Sequence, residues 1–266
     1  MRDMTYRLNF LMEAISSLAW TMINLSLYLL IFSHVNQIGA HTGWGKWEFM
    51  VFLATTWIIN SLIQSFFMPN CEEFAELIRT GRLDFALLKP IDTQLLVSVQ
   101  RVEWSGLSNF IAGIVLLLVS VYQLANREVD PLIISPLAGL LYPLFIFCGV
   151  VILYSLMISL SATSIWLGRN TSLHDFWFYI TSFSRYPREI YNGGRFGTPV
   201  QFIFTFLIPV LVVVNVPAKL LSQSLRPTAL GDYWLPGFTL IATVVSFALS
   251  RSVFQRALSS YRSASS

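Results

Sequence analysis

The sequence predicts an all-α integral membrane protein: six transmembrane helices, both termini cytosolic, and a short capped helix between the second and third spans. Three observations carry that expectation. Of 266 residues, 55% are apolar and only 12% charged, where a soluble domain carries about 25% charged residues. Mean hydropathy is +0.63, and a soluble fold of this length could not hide so much apolar surface. Six stretches reach the span length of about 20 apolar residues at 1.5 Å rise each. Finally, lysine and arginine are divided unevenly between the two sets of loops.

Taken in order, "MRDMTYRLNF" runs into apolar sequence as far as about Phe32. That is too long for a signal-peptide core, and no small-residue cleavage site follows. It reads as an uncleaved first span over 13–33, entered through a short interfacial helix. The second span is expected at 47–68, the third at 95–121 and the fourth at 138–166, which is long enough to tilt or project. The fifth, 200–216, is short and holds Pro209, with Pro217 just after it, so a kink or early exit is expected. The sixth covers 233–250. Polar residues, Gly and Pro gather between these runs, as connections require. The whole of 1–266 therefore reads as one membrane domain.

With a cytosolic N-terminus, thirteen basic residues fall inside: Arg2, Arg7, Arg79, Arg82, Lys89, Arg101, Arg169, Arg185, Arg188, Arg195, Arg251, Arg256 and Arg262. Four fall outside: Lys46, Arg127, Lys219 and Arg226. The positive-inside bias fixes the orientation. Trp44, Trp47 and Trp234 then mark the outer interface and Trp166 and Trp177 the inner one, as an aromatic belt would. Cys71 and Cys148 fall in the cytosol and at bilayer depth, too far apart in depth to pair.

No Asp, Glu, Lys, Arg or His stands near the middle of any expected span. Proton relays, ion-coupled carriers and voltage sensors need such groups, so ion-driven transport is not expected. "GWGK" at 43–46 is a poor phosphate-binding loop, because Ala40 stands where the first glycine belongs and Trp47 replaces the Ser/Thr. "GLS" at 106–108 lacks the histidine in a neighbouring span that serine chemistry needs. The sequence has no H-E-x-x-H and no Cys/His cluster for a metal. Ser155, Ser159 and Thr163 form a small-xxx-small row suited to helix packing.

The most charged stretch is "CEEFAELIRTGRLDFALLKPID" from Cys71 to Asp92. It reads as a helix over 71–80. Asn70 would cap it with Glu73 three residues on, as in a capping box. Glu72, Glu73 and Glu76 stand at the positive end of the dipole and Arg79 at the negative end. Gly81 is the left-handed C-terminal cap, and Phe74, Leu77 and Ile78 form an apolar stripe. A topology-fixing loop is the alternative reading. A second inner segment, 171–194, carries Phe176, Tyr179, Ile180, Phe183 and Tyr186 at helical spacing, which suits a helix lying in the interface. Its Arg185, Tyr186, Arg188 and Glu189 are candidates for a second cytosolic contact, either with the first helix or with lipid phosphates.

The six spans, the capped helix, "LIRTGRLDFALLKPID" and "SRYPREIYNGG" resemble the permease subunits of type-2 ATP-binding-cassette exporters, over essentially the whole chain. The resemblance implies that the helix between spans two and three is a coupling helix seated in a groove of a separate ATPase. That role falls on Glu72, Glu73, Phe74, Glu76, Leu77, Ile78 and Arg79, with Gly81, Arg82, Asp84, Lys89 and Pro90 shaping the return to the membrane. It also implies a segment between spans five and six that dips into the outer leaflet, for which 217–232 is the candidate. The partners implied are ATPase subunits, a second permease (identical or a paralogue) and membrane lipids, with no nucleic acid. ATP and Mg would belong to the ATPase; this chain would need no cofactor and be no enzyme. A multi-pass protein of the bacterial plasma membrane is expected. The absence of charge at depth points to a hydrophobic or amphipathic substrate such as a lipid, lipid-linked glycan or drug. A non-transporting scaffold or assembly factor is the alternative function.

Overall fold

The computed structural model describes residues 2–39, 42–128, 131–167, 172–191, 194–223 and 234–261, without the side chains of 2–10, 13, 14, 172–174 and 194–196. The helices are α1 (Arg2–His34), α2 (Lys46–Phe66), α3 (Met68–Arg79), α4 (Leu83–Leu87), α5 (Thr93–Ser98) and α6 (Leu107–Ala125). They continue with α7 (Pro136–Ala162), α8 (Ser164–Leu167), α9 (Ser172–Ser182), α10 (Gly194–Phe202), α11 (Leu211–Ser222) and α12 (Trp234–Ser260). The described residues form no strand beyond one isolated bridge, Gln37 to Gly45. Five helical runs are long and apolar enough to cross a membrane, or six if a bent pair counts as one.

α2, α7 and α11 make the core. Phe49, Phe52, Ile58, Ile59 and Ile63 of α2 are buried, as are Ile152, Leu153 and Ile158 of α7 and Val212 and Val213 of α11. Gly149 of α7 lets α11 approach: a Cβ there would stand 2.9 Å from the Val213 carbonyl oxygen. This glycine makes the close contact expected of the row Ser155, Ser159 and Thr163, where the Ser159 hydroxyl instead bonds back to the Ser155 carbonyl. α1 is nearly bare: only 6% of its apolar window is buried. Large apolar side chains stand exposed along it and along α6 and α12, as at Ile23, Ile111 and Val244. Such faces suit lipid contact, since only a helix satisfies its own backbone there.

The bundle has two ends. At one, Asp92 meets Arg251 and Phe74 meets Phe254, beside α3. At the other, Gln223 reaches the Gly43 carbonyl at 3.2 Å and Arg127 pairs with Glu48 at 3.1 Å. α1 meets α6 through Ser17 and Thr21, both bonded to Asn109, and its far end leads into the loop before α2. Both the start of α1 and the end of α12 therefore lie toward the α3 end.

Two expected spans are corrected. The third begins at Leu107 rather than near 95. Asp92 caps the short α5, accepting from the Leu95 amide at 3.0 Å, and the chain then runs extended to Glu103, whose N–H donates to the Ser65 carbonyl. The apolar residues from 95 to 98 thus belong to a short helix packed beside α3 and α4 instead of crossing.

The fifth crossing is not 200–216. α8 packs against α3 and α12 at one end, while Arg188 and Glu189 meet Asn215, Lys219, Trp44 and Trp234 at the other. The chain therefore traverses the bundle between Leu167 and Arg188, through α9 and the 3-10 turn Phe183–Arg185. The stretch 200–216 belongs to a bent pair, Gly197–Leu207 and Leu211–Ser222, whose arms turn 89°. Gly197 stands against the Tyr191 carbonyl and α11 ends at the Gln223 bond to Gly43, so the pair enters and leaves at the same end. The bend follows from Pro209, which has no N–H to donate, behind a π-helical turn at Ile203–Leu207. The expected dipping segment is thus 197–222 and overlaps the start of 217–232; residues 224–232 lie outside the described residues. So do Arg169, Arg226 and Arg262.

Replacing Gly149 by valine forces the Cβ against backbone, whereas Gly139 has nothing within 4 Å of that position. Overpacking of this kind costs about 1–3 kcal/mol. Gly149→Val should lower the unfolding midpoint of the purified chain in detergent by several degrees, and Gly139→Val should leave it within error.

Candidate functional site

α3 prolongs α2: together they form one run, Lys46–Arg79, of 34 residues. At 1.5 Å per residue that is about 51 Å, well beyond an apolar layer of about 30 Å, so α3 projects. The helix begins at Met68 with Pro69 in its first turn, where a missing N–H costs nothing. Asn70 is therefore inside the helix and is no cap. It is 3% exposed, and its amide donates to the carbonyls of Phe66 and Arg101 while accepting from the Arg101 amide at 2.8 Å. A capping box is accordingly absent; Glu73 turns to Arg101 at 3.0 Å and Arg82 at 3.7 Å. Arg79 Nε bonds Glu76 at 2.9 Å. Gly81 has φ +69 and its amide donates to the Ile78 carbonyl, so the left-handed cap stands as expected.

The apolar stripe faces inward. Phe74 is fully buried against Phe254, ring centroids 5.5 Å apart, Leu77 is buried, and Ile78 packs on the same cluster. Phe74 and Leu77 belong to the chain's own core and offer no surface to a partner, while Ile78 keeps part of its surface exposed. What α3 exposes is Glu72, Arg79 and Thr80. The apolar surface beside them comes from Phe85, 70% exposed, and Leu88, 81% exposed, next to exposed Arg82, Lys89 and Pro90. Leu83 and Ala86 of the same short helix are buried, and Asp84 lies beside the Tyr261 hydroxyl. Sequence reasoning missed Phe85 and Leu88, although the inside–outside alternation of 83–88 was there to read.

At the root of this projection Arg251 clasps Asp92, Nη1 to Oδ1 at 2.7 Å, and reaches Gln94 at 3.3 Å. The Arg251 hydrogen bond, with help from the Leu95 amide, holds the Asp92 carboxyl below the usual carboxylate range.

Arg185, Tyr186, Arg188 and Glu189 are not brought to α3. Glu189 accepts from Trp44 Nε1 at 3.0 Å and from Asn215 at 3.4 Å, and pairs with Lys219 at 3.5 Å. Arg188 receives Gln201 on its carbonyl, donates its amide to Asn215, reaches Thr205 at 3.3 Å and lies 5.5 Å over the Trp234 ring. Both tie the bent pair to the far end. Trp44 and Trp177, expected in aromatic belts, are buried instead.

Arg185 enters a cleft of about 210 Å³ between α1 and α2. α1 contributes Thr21, Asn24 and Tyr28, and α2 contributes Thr56, Asn60 and Gln64; Asn109 lies at the floor of the same cleft. Thr56 and Asn60 stand 10 and 14 residues below Lys46, or about 15 and 21 Å down the helix. Arg185, expected in the cytosolic segment outside all six spans, is thus placed in the same cleft as Thr56 and Asn60 of α2. An arginine at the centre of a spanning helix costs roughly 2.5–3.5 kcal/mol on insertion scales, and a polar cleft avoids that cost. The spacings 21, 24, 28 and 56, 60, 64 are one-face helical patterns that sequence reasoning passed over because the residues are uncharged.

Together these features define a polytopic helical membrane protein with a re-entrant pair at one end and a rigid projection at the other. The chain matches ABC-2 family transporter proteins over residues 18–265 and belongs to that family. It is thus a multi-pass membrane subunit of an ABC transporter class that associates with an ABC ATPase. The comparisons with curated proteins and with solved structures return no match.

Cysteines at exposed Ile190 and Thr80, with Cys71 and Cys148 replaced by serine, should label with impermeant thiol reagent from opposite faces of sealed membranes. Labelling of both from one face would refute the crossing between Leu167 and Arg188. The Asp92–Arg251 pair adds a pH dependence. A carboxyl held below its ordinary pKa of about 3.9 stabilises the fold above that value and ceases to do so as pH falls through the lowered one. Asp92→Asn should lower the unfolding midpoint slightly at pH 7, since both partners are partly exposed and screened. That difference from wild type should shrink as pH falls below the ordinary carboxylate range and vanish once it has passed the lowered Asp92 pKa.

Proposed function

We propose that this chain is the transmembrane subunit of an ATP-driven exporter of amphipathic molecules, that two permeases enclose the path, and that the tip formed by α3 and α4 is where a separate ATPase engages. The observation that carries the reading is the projecting α3. A lever must be stiff, and α3 is continuous with α2, stapled by Asn70 to Arg101, buried through Phe74 and closed by Gly81. Movement imposed at the tip reaches α2, which forms one wall of the polar cleft. The orientation follows the positive-inside rule. Arg79, Arg82, Lys89, Arg101, Arg251 and Arg256 lie toward the α3 end, against Lys46, Arg127, Arg188 and Lys219 at the other. The bias keeps its direction after Arg185, Arg188 and Arg195 leave the inner set, which supports a cytosolic α3 end; the bacterial plasma membrane is the location this reading assigns.

The docking surface in this reading is Glu72, Glu76, Arg79, Phe85, Leu88 and Lys89. Leu77→Asp would bury a carboxylate inside the chain itself and report on folding. Phe85→Asp and Arg79→Glu change exposed side chains, so both variants should insert, elute and unfold as wild type does. Vanadate-sensitive ATP hydrolysis co-eluting with the affinity-tagged chain should fall by about tenfold or more in each, the equivalent of ~1.4 kcal/mol in association. Hydrolysis that persists unchanged in both would show the tip to be no coupling element. Absence of co-eluting hydrolysis from wild type would favour a scaffold.

A further inference from the structure

The cleft between α1 and α2 is built around a charge. Arg185 projects into it from the 3-10 turn after α9, and among the described residues no carboxylate pairs with it. Its electrostatic neighbour is Tyr28. Beside it the side-chain amides of Asn60 and Gln64 have no hydrogen-bond partner among the described residues, though both are half-buried. A guanidinium flanked by unused amides on helical walls is a set of donors lining one space. Trp20, 69% exposed, and Trp57 flank that space on the side open to the surroundings of α1.

We propose that this cleft binds the anionic headgroup, phosphate or carboxylate, of an amphipathic molecule whose apolar tail lies along Trp20 and the bare face of α1. The guanidinium is a fixed planar donor array suited to phosphate and carboxylate oxygens. Asn60 and Gln64 supply neutral donors about one turn apart on α2. A wholly apolar solute would leave all three groups without partners, which a site of this polarity disfavours. The volume of about 210 Å³ holds a headgroup and not a whole lipid, so the tail must remain outside, where α1 offers apolar surface. The inference rests on the transporter reading and narrows its substrate class from amphipathic to anionic amphipathic.

The test is calorimetric titration of the full chain, purified in a neutral maltoside detergent, with decyl phosphate, inorganic phosphate and decanol, each corrected for empty micelles. Decyl phosphate should bind saturably and decanol should not. Arg185→Gln should raise the Kd for decyl phosphate about tenfold or more, equivalent to ~1.4 kcal/mol, Asn60→Leu should raise it by a smaller factor, and Arg185→Lys should restore part of the loss. Arg185→Lys and Asn60→Leu carry the test if Arg185→Gln fails to fold. Inorganic phosphate binding as tightly as decyl phosphate would overturn the amphipathic assignment in favour of a free anion. Equal binding of decanol, or decyl phosphate binding indifferent to Arg185, would overturn the site. So would a loss of self-association in Arg185→Gln with ligand binding intact, which would make Arg185 an interface residue. No ATPase takes part, so a chain that binds decyl phosphate without an ATPase partner loses only the transporter reading. One that retains the ATPase and ignores decyl phosphate loses only this inference.

Discussion

Glu189 is shared by the Trp44 indole, the Asn215 amide and the Lys219 ammonium, and the far half of the bundle is organised around that sharing. A carboxylate withdrawn from water must be paired and hydrogen-bonded or it neutralises, and here two separate stretches of chain supply the three partners. The loop before α2 delivers Trp44, and the re-entrant arm α11 delivers Asn215 and Lys219. Satisfying one charge therefore fixes where the crossing after α9 ends and where the re-entrant pair sits. Arg188, the next residue back, completes the arrangement by holding Thr205 and Asn215 on both sides of the Pro209 bend.

A similar economy governs the opposite end. The chain reverses direction between α2 and α6, and each reversal leaves backbone groups that need partners. Asn70 answers for two of them at Arg101, Ser65 accepts from Glu103, and Asp92 caps α5 while holding Arg251. The result is that α3 is fixed at its root by directed polar contacts and along its length by Phe74. A helix so anchored transmits displacement, which is the mechanical property a coupling element needs. Its inward-facing apolar stripe serves that stiffness and leaves the charged face, Phe85 and Leu88 exposed.

Between these ends, the polar residues of α1 and α2 and the guanidinium of Arg185 make the interior cleft. It lies on the wall that α2 shares with the projecting lever, so a change at the tip and a change in the cleft are features of one rigid element. Coupling between distant sites requires such an element with two positions that both sites bias, and α2–α3 is the element in this fold that touches both.

The amino-acid sequence by itself determined the membrane class, four of the crossings within a few residues, the projecting helix and its glycine cap. Those features depend on local quantities: apolar run length, helix-stop chemistry at Gly81, and loop charge. It did not determine the fifth crossing. α9 has 11 residues, carries Ser, Asp and Thr and is followed by a 3-10 turn with Arg185, so no window of apolar length exists there; Trp177 and Ile180 bury one face of it against the bundle and Glu189 holds the end of the stretch. Nor could it show that 200–216, apolar enough to span, turns back at Pro209, because a bent backbone at depth is tolerated only where neighbours enclose it. The same limit applies to the sites. Phe74 and Leu77 look like a free stripe until α12 is placed against them, and Arg185 looks cytosolic until the crossing carries it between α1 and α2. Which face of a helix is covered is decided by its neighbours, and only the tertiary structure names them.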